Sequence, residues 1–329
     1  MIALQLANEQ HAISYGADEI TIRTKKLFGE LFEAEVEVLF VFNGTGANVL
    51  SISAATQSFH SVLCADTSHI YTDESSAPET LTGCRFIPVA TNQKGQLEPQ
   101  TIARHIIRKG DIHFAQPRLL SITQSTEYGT VYSLSQLQEI SQLAHKHDLY
   151  VHMDGSRFFN AVTSLNCSIK EMSTDLGLDI LSLGGTKMGL MYGEAVVIFN
   201  KKLTENILFK QKQSMQLASK TRFIAAQFEA LLSNNLWKKT ANHANDMARL
   251  LSIKLSQFKQ ITITKPVEAN AVFAIFPLAW INILQQKFPF YVWNVETNEV
   301  RLMCAWDTTS KDVEDFIVTI QALSNRQVQ

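Results

Sequence analysis

Three stretches of this sequence carry residue types that could do chemistry together: a lysine behind a glycine pair, an aspartate ending an apolar run, and a turn of small residues. The lysine lies in residues 180–193, ILSLGGTKMGLMYG. A run as short and apolar as Ile180–Leu183 has the length of a buried strand, and Gly184 and Gly185 end it with backbone freedom that other residues lack. Lys187 follows at once. An ammonium held just beyond a buried strand, among glycines and apolar side chains, is poorly solvated; its pKa falls and its amine becomes nucleophilic, as an imine-forming lysine requires. Taken alone, GTK is a weak motif that more often marks a loop lysine reaching solvent.

The aspartate ends LYVHMDGSR, residues 149–157, where a predicted strand finishes in Asp154 and Gly155. Residues just past the carboxyl ends of parallel strands line the ligand crevice of an open sheet, so Asp154 and Lys187 can face one site. Pyridoxal phosphate needs both. The lysine holds its aldehyde carbon, and a carboxylate keeps the ring nitrogen protonated so that the ring accepts electrons. Asp154 reads equally as a turn former or a helix N-cap. The third stretch, VLFVFNGTGANV at residues 38–49, places a small-residue turn between an apolar strand and a helical pattern beginning at Asn48. Free N–H groups and the positive end of a helix dipole make such a turn an anion site, suited to a phosphate at Gly44, Thr45 and Gly46. It lacks the GK[ST] of a Walker loop and the third glycine of a dinucleotide fingerprint, and by itself it reads as a plain strand-to-helix turn.

The elements that must position these residues alternate. Strands are predicted at 36–42, 61–64, 84–89, 119–123, 150–153, 180–183 and 195–199, with helices at 2–8 and 21–31 and helices starting at Asn48, Pro99 and Ser135. Continuous apolar strands alternating with helices predict an α/β fold with a mostly parallel sheet covered on both faces. Amphipathic patterns over 210–232 and 242–258 predict long helices, followed by strands at 271–276 and 299–304 and a last helix at 312–323. The chain of 329 residues divides on this reading into a large domain, residues 1–234, and a smaller α/β domain, residues 235–329. A formal charge of −2 with dispersed charges recommends neither nucleic acid nor an acidic membrane surface as a partner. Cys64, Cys84, Cys167 and Cys304 lack metal-ligand spacing and suit reduced thiols used for packing. No metal is expected. With no apolar stretch near the length of a membrane span and no signal peptide at MIALQLANEQ, the expectation is a cytoplasmic protein.

In this order, FNGTGANVLSI, SHIYTDESSAPE, ITQSTEYGTVYSLSQL, HMDGSRFFNA, SLGGTKMGLMYGEA, QLASKTRFIAAQFEALL, EANAVF and VRLMCAWDT resemble the low-specificity L-threonine aldolases over nearly the whole chain. These are pyridoxal-phosphate enzymes of fold type I in the β-eliminating lyase family. The resemblance implies retro-aldol cleavage of L-allo-threonine, L-threonine and related β-hydroxy-α-amino acids to glycine and an aldehyde. It implies Lys187 as the covalent lysine, Asp154 on the pyridinium nitrogen, and residues 44–46 on the phosphate. Arg222 matches an arginine that assists the phosphate across a subunit interface, in a homodimer or homotetramer. His69 matches a histidine stacked on the ring, although by type alone it reads as a cap near the second strand. Arg157 and Arg301 match the arginines that hold the substrate carboxylate. The base for the β-hydroxyl proton stays open between His69 and Glu74. Glu127 stands where some members carry histidine, which bears on the choice between threo and allo substrates, and Ser156 stands where alanine is common. Members of the family open with a polar segment of the type SDN-x-SG ahead of the first helix, where this sequence already begins, so slow turnover is expected of the chain as given. A cofactor-binding homologue with little activity, or another lyase of the same fold, are the alternatives.

Overall fold

The fold is described by a computed structural model covering residues 1–326. Its centre is a seven-stranded sheet of β1 (Glu37–Val41), β2 (His60–Ala65), β3 (Arg85–Val89), β4 (Gln116–Thr123), β5 (Tyr150–Gly155), β6 (Ile180–Leu183) and β7 (Glu194–Ile198), ordered β1-β7-β6-β5-β4-β2-β3. Six of the seven strands run in one direction; β7 alone runs against them, inserted between β6 and the edge strand β1. Each strand reads as an unbroken apolar run because both of its faces are buried. On β1, Val38 and Phe40 enter one core with Phe28, Phe158 and Phe228, whereas Leu39 and Val41 enter the core on the opposite face with Leu50, Ile52 and Val196.

Two predicted boundaries are corrected. The helix expected from Asn48 already starts at Gly44 and runs to Ala55. Two glycines disfavour a helical start, but the Asn43 side chain accepts the N–H of Gly46 at 2.8 Å, an N-cap worth about 1 kcal/mol. The single helix expected over 210–232 is two, Ile207–Gln213 and Arg222–Leu232. Between them Met215 adopts a left-handed φ of 62°, and the Ser219 carbonyl is turned outward to accept the N–H of Tyr15 at 2.8 Å. The apolar pattern continues across this break.

A second, antiparallel sheet is ordered β10-β11-β9-β8, from β8 (Thr262–Ile263), β9 (Ala271–Ile275), β10 (Tyr291–Asn294) and β11 (Glu299–Met303). It has its own core with Phe276, Trp280 and Phe316. The helix Leu236–Leu255 serves both cores: Trp237 and Ala241 pack with the large sheet, Ala248, Leu251 and Leu255 with the small one. It follows a kink at Asn234, where φ is 53°. Among the described residues no helix is long and apolar enough to cross a membrane.

Phe28 is fully buried, with ring centroids of Phe40 and Phe228 at 5.8 and 5.5 Å. Phe28→Ala should lower unfolding free energy by about 3–5 kcal/mol, read as a fall in the urea midpoint. An unchanged midpoint would remove this aromatic cluster from the core that fixes the sheet.

Candidate active site

The carboxyl ends of β4, β5 and β6 lie side by side, with Asp154 in register between Thr123 and Ser182. Asp154 is part of the last turn of β5 and is 2 % exposed. Its Oδ1 accepts from the backbone N–H and the Oγ of Ser156, at 3.0 and 2.8 Å, and its Oδ2 accepts from Asn48 Nδ2 at 3.0 Å. Burial alone raises a carboxyl pKa. Here Lys187 and these three donors outweigh it, so the group lies below its ordinary value and stays ionised.

Lys187 sits in a single turn of 3-10 helix, Thr186–Met188, after the glycine pair. The turn is pressed against β5: a Cβ on Gly184 would stand 2.3 Å from the Ser156 carbonyl oxygen, and one on Gly185 2.4 Å from that of Gly193. Nothing larger than glycine lets the lysine strand and the aspartate strand approach this closely. The Lys187 side chain is accessible, but from within a concave cleft where protein surrounds it on most sides. Incomplete hydration first, and Arg157 second, lower its pKa to about 8, against the opposing pull of Asp154 and Glu194. Glu194 opens the reversed strand β7 and returns beneath the turn, where its carboxylate accepts the N–H of Gly185.

The start of helix Gly44–Ala55 faces the same place, since a Cβ on Gly44 would lie 4.0 Å from Ser156 Oγ. With Asn43 capping Gly46, the N–H groups of Gly44 and Thr45 are left at the positive end of the helix. One turn along, Asn48 Nδ2 donates both to Asp154 and, at 2.8 Å, to Glu74 Oε1. Glu74 Oε1 also lies 2.9 Å from Nδ1 of His69, at the start of the short helix His69–Thr72. That bond, first, raises the imidazole pKa against the effect of burial. Arg157 lies three residues beyond Asp154 and Arg301 comes from β11 of the small sheet; each is half-buried, and each has a buried Nε without a partner. His69 and Arg301 line a cleft of about 730 Å³ with Asp73, Tyr291 and Trp293.

Lys187, Asp154, Arg157, Arg301, His69 and residues 44–46 therefore converge. Arg222 does not join them within this chain. It begins the helix Arg222–Leu232 and opens on a separate cleft of about 320 Å³, with Glu9, His11 and Asp18. Sequence reasoning missed Asn48, Glu194 and Gln216 as parts of the site; Gln216 Oε1 accepts the N–H of Phe42 at 3.0 Å beside Gly46. Asn48 left a signal, being a polar residue among Ala47, Val49 and Leu50, one helical turn from the proposed anion site.

A profile of the beta-eliminating lyase family matches residues 1–278. The chain is 40% identical over 322 residues to a low specificity L-threonine aldolase of Pseudomonas sp. (strain NCIMB 10558), covering 98% of this chain and 93% of the relative. It is 28% identical over 263 residues to a low specificity L-threonine aldolase of Saccharomyces cerevisiae, covering 79% and 66%. The chain belongs to the beta-eliminating lyase family. The fold agrees, since the structure of Leishmania major threonine aldolase superposes with a TM-score of 0.92 at 29% identity, covering 98% of this chain and 96% of that one. As a member of that family, the protein is an enzyme that depends on pyridoxal phosphate. Its residues fit that cofactor on their own evidence: a carboxylate kept ionised for the ring nitrogen, a lysine with a lowered pKa for the aldehyde, and open helix-start N–H groups for the phosphate.

In cofactor-free protein the Lys187 amine should titrate near pH 8, reacting above that pH as the free base and resisting below it as the ammonium. Competitive acylation read by mass spectrometry of the Lys187 peptide measures this. Asp154→Asn should move the midpoint lower still, because it removes a charge that favours the ammonium. A midpoint at the ordinary lysine value of 10.5 would contradict the environment described.

Proposed function

We propose that the protein cleaves the Cα–Cβ bond of L-allo-threonine, L-threonine and related β-hydroxy-α-amino acids, releasing glycine and an aldehyde. The observation that carries this reading is the pair Arg157 and Arg301 beside Lys187, each with a buried Nε that no protein group meets among the described residues. Burial first, and Arg301 second, pull the Arg157 guanidinium down to about 10, so it remains charged at neutral pH and in need of an anion. The α-carboxylate of an amino acid offers both arginines a two-oxygen acceptor.

Anchoring that carboxylate does more than bind. It would fix rotation about the bond from the amino nitrogen to Cα and so favour Cα–Cβ cleavage over loss of the carboxylate. Pyridoxal phosphate, when bound, supplies the sink for the electrons of the broken bond. Lys187 would hold its aldehyde, Asp154 its ring nitrogen, Gly44, Thr45 and Gly46 its phosphate, and His69 would cover the ring from the cleft wall. Asn48 and Ser156 keep the Asp154 oxygens aimed by hydrogen bonding both of them.

Arg222 serves the phosphate of a second copy of the chain, in a homodimer or a homotetramer. Its place in a cleft apart from its own Gly44 turn supports this, as do the exposed apolar side chains of Phe42, Met191, Tyr192 and Met215. A cytoplasmic location accords with four cysteines present as free thiols.

Purified protein given pyridoxal phosphate and L-allo-threonine should yield acetaldehyde and glycine in equal amounts. Ammonia and a keto acid instead would overturn the assignment. Lys187→Ala should abolish turnover and the visible absorbance of the bound cofactor together. Replacing Arg157 or Arg301 by Lys should raise KM for the amino acid about ten- to a hundredfold, the loss of one charge-assisted bond of roughly 1.5–3 kcal/mol, with cofactor content unchanged. Cofactor loss as the main defect would move that arginine to the phosphate.

A further inference from the structure

We propose that Glu127 is the base that removes the β-hydroxyl proton of the substrate, an assignment that rests on the aldolase reading above. Glu127 lies four residues beyond the end of β4, on the segment that arches over the carboxyl edge of the sheet. It is 6 % exposed. Its Oε1 accepts the backbone N–H of His69 at 2.9 Å, and its Oε2 has no partner among the described residues. A buried carboxylate oxygen without a donor is costly to leave unmet, which makes it a place to look for a ligand group.

The groups that act on Glu127 come from every element around it. They are Thr123 at the end of β4, whose hydroxyl favours the carboxylate, His69 from the short helix, Asp154 and Arg157 from the end of β5, Arg301 from β11, Cys64 from β2, and Tyr128 and Tyr132 from its own segment. Burial dominates and pushes the carboxyl up to about 7, with Asp154 adding to it against the His69 N–H. A carboxyl so placed is half ionised near neutral pH, where a general base works best.

The two competing candidates are less well placed. His69 is held by Glu74 through Nδ1, and that bond raises its pKa, which favours the imidazolium, the form that cannot accept a proton. Glu74 Oε1 is shared between His69 and Asn48, and its Oε2, like that of Glu127, has no partner among the described residues, so the open oxygen does not separate the two glutamates. Position separates them. In an amino acid the β-carbon lies within about 3 Å of the carboxylate carbon, so the base must stand close to the arginines that hold that carboxylate. Glu127 acts electrostatically on both Arg157 and Arg301, whereas Glu74 is not among the groups that shift either.

The step balances as follows. Glu127 Oε2 takes the β-hydroxyl proton; the O–H pair becomes the second carbon–oxygen bond of the aldehyde. The Cα–Cβ bond breaks and leaves its pair on Cα, where the electron sink holds it until a solvent-derived proton completes glycine. Glu127 then returns its proton to water. Because the carboxylate is the active form, the rate should rise with pH through about 7 and fall away below it, where the carboxyl is protonated.

The test compares the holoenzyme with Glu127→Gln, which keeps the size and the acceptor for His69 N–H. Cleavage of L-allo-threonine is followed against pH, beside exchange of the glycine α-proton for solvent deuterium, which involves no β-hydroxyl. The Gln variant should lose about a hundredfold or more in kcat and the ascending limb near pH 7, with KM within a few fold and glycine exchange at the parental rate. Glu127→Asp should recover part of the rate together with an ascending limb. In cofactor-free protein, an infrared titration should show a carboxyl midpoint near pH 7 that the Gln variant lacks. An unchanged rate and limb in the Gln variant would overturn the proposal, as would an equal fall in glycine exchange, which would mark a merely structural role. A parent enzyme that exchanges glycine but cleaves no β-hydroxy amino acid would overturn the aldolase reading itself, and this proposal with it.

Discussion

The site depends on keeping one carboxylate ionised where water hardly reaches. Asp154 is almost fully buried, and an isolated carboxylate there would take up a proton. Three hydrogen bonds, two from Ser156 and one from Asn48, together with the charge of Lys187, reverse that tendency. Each requirement places a demand on the fold. Ser156 must double back beside its own strand, Asn48 must sit one turn inside the helix that follows β1, and Lys187 must arrive from the neighbouring strand. The glycine at 184 follows from this packing, since any larger residue would separate β6 from the chain at Ser156, and the one at 185 keeps the lysine turn against Gly193.

The same hydrogen bonds extend the constraint outward. Asn48 joins Asp154 to Glu74, and Glu74 joins His69, so the buried carboxylate and the residue at the cleft wall belong to one network. Such a network holds its members in fixed orientations if its groups are satisfied. Hydrogen bonding stops within this network at Asn48 Oδ1 and Glu74 Oε2, and beside it at Arg157 Nε, Arg301 Nε and Glu127 Oε2. The two guanidinium atoms are cationic donors that suit a ligand carboxylate, and the open carboxylate oxygens are acceptors that suit a hydroxyl proton.

Much of this was legible in the sequence because buried parallel strands are short apolar runs, and the residues that end them are conspicuous. Asp154 and Lys187 could be read in this way, as could the sheet and its covering helices. The reversal of β7 could not, because an apolar run carries no direction. The break between residues 213 and 222 was hidden because the apolar spacing persists through it, and only the partner of the Ser219 carbonyl, Tyr15 some two hundred residues away, reveals the turn. Glu127 was visible as a residue type, but its burial was not; nothing in STEYGT distinguishes a solvated glutamate from one sealed between strands. Arg222 was placed by resemblance alone, and the chain by itself sets it in another cleft.

Arg157 and Arg301 belong to different bodies, the first to the large sheet and the second to the small one, joined through a helix whose two halves lie in separate cores. Burial first, and the like charge of Arg301 second, lower the pKa of Arg157, so the cleft holds two cations whose charges oppose each other. A carboxylate between them would change the sign of that interaction. It would then cross-link the two sheets electrostatically, as a tie additional to the shared helix. A neutral amine without a carboxylate, however well it reacted with Lys187, would leave that cross-link unmade.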